Sequence, residues 1–172
     1  MGKIKGPKQV KLFMGIIAAS REVLAEALKI AEENYGRIDV RSAVIPFTFT
    51  SYYEEEMGKN LLRCWVGFEK TISPEGLADI KVWSNSVEDR FCAEGGDMRS
   101  INLDPGYLEL SKVVLASTKD FSHRIYIGKG IYAEITLLCK GKGGFTGLQW
   151  SYPDYQSPEA TKFLTELRNT MK

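Results

Sequence analysis

Between Val10 and Ala18 the chain is apolar on both faces of an extended backbone, with Val10, Leu12, Met14 and Ile16 on one side and Phe13 and Ile17 on the other. A strand of that kind belongs in the middle of a sheet, where both faces are covered. The period then lengthens. Val23, Leu24, Ala27, Leu28 and Ala31 recur at helical spacing behind Ser20, a good N-cap, with Glu22 in the first turn and Gly36 at the end of the run. "RSAVIPF" and "LLRCWVGF" read as strands, separated by the aromatic and acidic insert "TFTSYYEEEMGKN". Ser73 and Pro74 open a second helix as N-cap and first helical residue, Leu77, Ile80, Ser84, Val87 and Phe91 share its inner face, and Gly95 and Gly96 stop it.

The second half is richer in strands. Asp104-Pro105-Gly106 reads as a turn, and in "YLELSKVVLAST" the positions Leu110, Val113, Val114 and Ser117 favour a helix face over the strand that the β-branched pair would suit. "HRIYIGKGIYAEITLLC" alternates around Gly128-Lys129-Gly130, which predicts a hairpin. A three-residue loop pairs Ile127 with Ile131, Ile125 with Ala133 and His123 with Ile135, and it places Tyr126 across from Tyr132 and Arg124 across from Glu134 on the other face. "KGKGGFTG" lacks the strand, GxxxxGK[ST] and helix order of a phosphate loop and reads as a turn into another strand. Ser157-Pro158-Glu159 starts a last helix lined by Ala160, Phe163, Leu164, Leu167 and Met171. This order predicts an α+β domain over residues 1–172, with helices packed on a mixed or antiparallel sheet and a first half that starts like a ferredoxin-like βαββαβ unit.

Composition narrows the functions available. Over 172 residues, 23 basic and 22 acidic side chains leave a formal charge of +1, so no strong field pulls in nucleic acid or an acidic membrane. Cys64, Cys92 and Cys139 are odd in number and far apart, which fits neither a disulfide framework nor a CxxC metal knuckle. The apolar run "LFMGIIAA" is short and leads directly into a charged helix pattern. No run approaches the roughly 20 apolar residues of a membrane span. A cytoplasmic location follows as the expectation.

His123 is the chain's one histidine and the side chain best suited to exchange a proton near neutral pH. Lys119, Asp120, Ser122 and Arg124 surround it in the sequence. A pocket is therefore expected where the Asp104 corner, the Lys119 to Arg124 segment and the "SYYEEE" insert meet. In it Lys119 and Arg124 hold an anion, with Asn102, Asp104 and Tyr52 as further ligand contacts. Asp104, Asp120 and Glu54 would offer oxygens to a hard divalent ion such as Mg or Mn, and His123 with Asp120 would act as acid and base in any reaction. The plainer readings are an acidic first helical turn capped by Thr50 or Ser51 for the glutamates, and a packed corner for "WSYPDY". The expected ligand is small and anionic or nucleotide-like. The rival expectation is a noncatalytic module that binds a protein partner or a second copy of itself through aromatic segments and a sheet edge. Single-strand RNA binding is weakened by the neutral charge.

The strings "KLFMGIIAAS", "FTSYYEEEMG", "NLDPGYLELSKVVLASTKDFSHRIYIGKGIYAEITL" and "WSYPDY" resemble a family of small prokaryotic proteins classed as domain of unknown function 4416. The resemblance spans nearly the whole chain and implies a single cytosolic domain without an established activity or accepted catalytic residues. A generic GTP-binding label carried by some members would need a phosphate loop and an NKxD motif, and this chain has neither.

Overall fold

The structure is a computed structural model that describes residues 2–93, 98–140 and 144–171. Among the described residues nine strands form one sheet in the order β2-β4-β1-β5-β6-β8-β7, with β3 added beside β4 and β9 beside β8. Every pairing among the named strands is antiparallel. The strands are β1 (Val10–Ala18), β2 (Ile38–Arg41), β3 (Ile45–Pro46), β4 (Leu62–Ile72), β5 (Ile101–Leu108), β6 (Lys112–Ser117), β7 (Ile125–Gly128), β8 (Ile131–Lys140) and β9 (Gly144–Gly147). The helices are α1 (Arg21–Tyr35), the short α2 (Glu54–Met57), α3 (Leu77–Asp89) and α4 (Pro158–Asn169). This is an α+β fold.

Because β1 is apolar on both faces it lies between β4 and β5 and is buried throughout. Leu12, Met14 and Ile16 meet α1 and α3 on one face of the sheet. On the other, Phe13 packs with Trp65, Tyr155 and Phe163 beneath α4. Edge-to-face rings of this kind add about 0.5–1.5 kcal/mol per pair beyond their burial. The insert before β4 covers the same side as α4, where Met57 and Leu61 close over Ile17. No helix among the described residues is long and apolar enough to cross a membrane.

Several expectations need correction. Residues 107–118 are not helical: they end β5, turn through Glu109 N–H to Lys112 O, and form β6. Val113 and Leu115 join the α4-side core while Val114 and Ala116 join the α3 side, so the period is two and both faces are buried. Asp104-Pro105-Gly106 is not a turn either, but lies inside β5 opposite Gly15, Met14 and Phe13. Gly106 is there for close packing, since a Cβ would sit 2.4 Å from Val114 O and 2.7 Å from Phe13 Cζ. "RSAVIPF" is split into β2 and β3, with Ser42 Oγ accepting from Trp65 N–H between them at 2.9 Å. At the second helix Ser73 caps nothing, because a 3-10 turn (Pro74–Gly76) precedes α3 and Gly76 takes the cap position. Neither Thr50 nor Ser51 caps α2 with its side chain. The expected stop at Gly95 and Gly96 and the turn through Gly141, Lys142 and Gly143 lie outside the described residues.

The hairpin follows the expected register over most of its length. Ile125 pairs with Ala133 and Tyr126 with Tyr132. At the tip Gly128, not Ile127, pairs with Ile131, and Ile127 bulges out. The loop is therefore the two residues Lys129 and Gly130, both at positive φ, as a primed hairpin turn demands. The apolar face expected to be buried is covered at Ile131, which packs against Leu77, and in part at Ala133; Ile125 at the sheet edge stays exposed.

Candidate functional site

The ladder between β5 and β6 covers only Gly106–Leu108 against Val113–Leu115, so from Ile101 to Pro105 the sheet is split. A split leaves backbone groups of a buried strand without partners, and these must be satisfied from elsewhere. Two side chains of α3 do it: Lys81 Nζ donates to Leu103 O at 2.8 Å and Leu103 N–H donates to Glu88 Oε1 at 2.6 Å. A cleft of about 620 Å³ opens over this split on the side covered by the insert and by the 3-10 turn Pro153–Gln156 before α4. That volume lies within the usual range of small-ligand sites, roughly 300–1,000 Å³.

Arg63 forms the floor. It comes from the start of β4, is 1% exposed, and lies over Trp65 and Tyr155 with its Cζ 4.6 and 5.2 Å from the ring centres. Its Nη2 is paired to Asp154 at 2.7 Å. Its Nη1 is buried with no hydrogen-bond partner among the described residues, 3.7 Å from Asp104 Oδ2. Gly15, opposite Asp104 on β1, makes the room, because a Cβ there would lie 2.5 Å from Tyr155 Oη and 2.9 Å from Arg63 Nη2. Burial works against the guanidinium charge, and Asp154, Tyr155 and Asp104 more than offset it, so Arg63 stays firmly protonated. For Asp154 the balance differs: burial raises its pKa above the ordinary carboxylate value and Arg63 only partly opposes this. Glu88, beneath Lys81 and bonded to Arg99, is likewise raised by burial against its two cations.

The upper wall is a second network around Glu134, which is almost fully buried on β8. Arg124 Nε donates to Glu134 Oε2 at 2.7 Å, its Nη1 to Ser117 Oγ and Lys119 O, and its Nη2 to Tyr152 Oη. His123 Nε2 meets the same Glu134 oxygen at 3.1 Å, while its ring stacks between Phe121 and Trp150. Across the mouth Lys119 Nζ donates to Tyr52 Oη at 2.7 Å and sits over the Tyr52 ring. Burial raises the Tyr53 and Tyr152 hydroxyls above their ordinary values, so both stay protonated donors.

Of the residues expected from sequence, Asn102, Asp104, Lys119, Arg124 and Tyr52 line this one cleft. His123 and Asp120 do not. His123 reaches it only through Glu134, not through Asp104 or Asp120, because it precedes β7 in a turn closed by Arg124 N–H to Phe121 O and so escapes the strand alternation. Asp120 is exposed, and Glu54 is exposed at the start of α2, so the expected trio Asp104, Asp120 and Glu54 is not assembled. Among the described residues no three His, Cys, Asp or Glu side chains stand together as a metal site. Sequence reasoning missed Arg63, Lys81, Glu88 and Asp154. Signals existed: Arg63 interrupts the apolar run "LLRCWVGF", and Lys81 and Glu88 lie seven residues apart on the inner face of α3 with Ser84.

Comparison with known families and proteins yields one match. The family model Domain of unknown function (DUF4416) matches residues 8–171. No curated protein and no solved structure matches the chain, so the ferredoxin-like description of the first half has no solved relative behind it.

Proposed function

Since the chain belongs to the DUF4416 family, whose description assigns no activity, we propose from its own site that it is a cytoplasmic protein that binds a small anionic or nucleotide-like ligand in the cleft over the split sheet. The observation that carries the reading is Arg63 Nη1, a buried guanidinium nitrogen with no hydrogen-bond partner among the described residues, at the floor of an aromatic-walled cleft. Leaving a buried donor unpaired costs about 1–3 kcal/mol, more when it is charged. A ligand oxygen that accepts from Nη1 relieves that cost, and planar rings at Tyr52, Tyr53 and Tyr152 suit a flat body above it. Lys119, the anion ligand expected from sequence, becomes a mouth residue already bonded to Tyr52. The reading needs no divalent cation, because Asp120 and Glu54 stand outside the cleft.

The test is a thermal-shift and calorimetry panel of nucleoside phosphates, inorganic phosphate and aromatic carboxylates. A ligand selective for the folded state raises Tm with its occupancy. Arg63→Lys keeps the charge and removes the planar fork, and it should weaken the bound anion by about tenfold or more. No shift from any anion, or a shift indifferent to Arg63→Lys, would refute the site.

A further inference from the structure

At the floor of the cleft two opposite charges face each other without joining. Arg63 Nη1 and Asp104 Oδ2 are 3.7 Å apart, beyond hydrogen-bond distance. Asp104 Oδ2 accepts from Asn102 Nδ2 at 2.8 Å. Oδ1 accepts from no described residue; Lys81 Nζ stands 3.9 Å from it. Both cations have closer commitments elsewhere, Arg63 to Asp154 at 2.7 Å and Lys81 to Leu103 O at 2.8 Å. Among the described residues the floor therefore presents an unpartnered guanidinium nitrogen, Nη1, and a free carboxylate oxygen side by side.

A ligand head with only negative charge would meet Arg63 but also face Asp104 and Asp154. A head with only positive charge would meet Asp104 but face Arg63 and Lys81. Like charges this close repel strongly in a site shielded from water. A head that carries both signs a few ångströms apart answers both groups at once. Resting on the ligand-site reading above, we propose that the cleft binds an aromatic α-amino acid, free or as the head of a larger molecule. Its carboxylate accepts from Arg63 Nη1, its ammonium donates to Asp104 Oδ1, and its ring lies among Tyr52, Tyr53 and Tyr152. Asn102 is a positioning residue: its amide bond to Oδ2 turns the other carboxylate oxygen toward the ligand. The cleft, at about 620 Å³, leaves room for a body beyond the head.

The experiment uses three compounds with one ring system: L-tryptophan, which carries both charges, indole-3-propionate, which lacks the ammonium, and tryptamine, which lacks the carboxylate. L-Tyrosine and L-phenylalanine vary the ring. Calorimetry on the intact protein near neutral pH should show at least one aromatic amino acid binding, and if it is tryptophan, each one-signed analogue should bind about tenfold or more weakly, the worth of one charge-assisted hydrogen bond. Asp104→Asn should weaken the amino acid by a similar factor and leave indole-3-propionate equal or tighter. The comparison on the unaltered protein stands by itself if that variant fails to fold. Indole-3-propionate binding as tightly as tryptophan would overturn the two-signed head and leave the anion site intact. So would a nucleotide that binds while none of the three amino acids does. Failure of every anionic probe, amino acids included, would overturn both readings.

Discussion

Two buried arginines divide the site between them. Arg124 and Arg63 have side chains 4% and 1% exposed, and each lies against aromatic rings. Arg124 has donated from all three of its nitrogens, to Glu134, Ser117, Lys119 O and Tyr152. Arg63 has spent one nitrogen on Asp154 and keeps Nε and Nη1 without partners among the described residues. Arg124 ties the segment before β7 to β6, β8 and the Tyr152 corner, so its work is architectural. Arg63 holds hydrogen-bonding capacity at the floor of a cleft, where a protein pays for it in stability unless something binds. Burial and charge are alike in the two; what separates them is how much capacity is left over.

The strongest way to break this comparison is to remove each arginine in turn. Arg63→Met strips Asp154 of its counter-charge in the core, and loss of one partner of a buried pair costs about 3–5 kcal/mol. Arg124→Met leaves Glu134 with His123 at 3.1 Å and Thr136 Oγ1 at 3.2 Å, so its cost should be smaller, about 2–3 kcal/mol. Urea midpoints for both variants give the order. Ligand binding should be lost in the first and survive in the second. Equal loss of binding in both would show that Arg124 is also a ligand contact and that leftover capacity is a poor guide.

The same contrast explains what could be read from sequence. The two-faced strand β1, the stripes of α1 and α4, the hairpin pairs Ile125–Ala133 and Tyr126–Tyr132, and the joining of Arg124 to Glu134 all follow from local periodicity, which the finished fold respects. Polar residues near His123 were visible because they cluster along the chain. Arg63, Lys81 and Asp154 come from β4, α3 and the turn before α4, and only the split between β5 and β6 brings them together. No local pattern announces such a split. Asp104-Pro105-Gly106 misled for a related reason: turn residues were used here for a close crossing of strands, with β1 the registered neighbour of Pro105. The "YLELSKVVLAST" stretch misled because strands buried on both faces leave few polar positions to reveal a period of two.

A finer test asks whether the Arg63–Asp154 pair stabilises the fold. The native pKa of Asp154 is raised, burial being the larger cause and Arg63 the smaller, opposing one. A carboxyl with a raised native pKa binds its proton more tightly folded than unfolded. Its contribution to stability is fully present below the unfolded value, near 4, and is lost as pH rises through the raised native value. Asp154→Asn cannot ionise and lacks this loss. Urea midpoints measured from about pH 4 to pH 7 should move in favour of the variant, relative to the unaltered protein, as pH rises. Movement the other way would show that the ion pair outweighs burial. Arg63 would then be as well satisfied by Asp154 as Arg124 is by Glu134, and the comparison would lose half its force.

The smallest expected effect comes from two serines that share a sequence and differ, as the arginines do, in what their polar atoms have found. Ser73 and Ser157 each precede Pro and Glu. Ser157 Oγ accepts from Ala160 N–H at 3.1 Å, satisfying one of the amides left open at the start of α4. Ser73 Oγ makes no such bond, because the 3-10 turn carries the chain past the cap position; it donates to the exposed Glu75 carboxylate at 3.2 Å instead. Ser157→Ala should therefore cost about 1 kcal/mol, the usual worth of an N-cap. Ser73→Ala should stay within about 0.5 kcal/mol, as surface changes do. Equal costs at both sites would mean that the shared "SPE" motif, not the bond its serine makes, sets the stability. A larger cost at Ser73 would place the start of the α3 helix three residues earlier than the fold has it, with Ser73 as its N-cap.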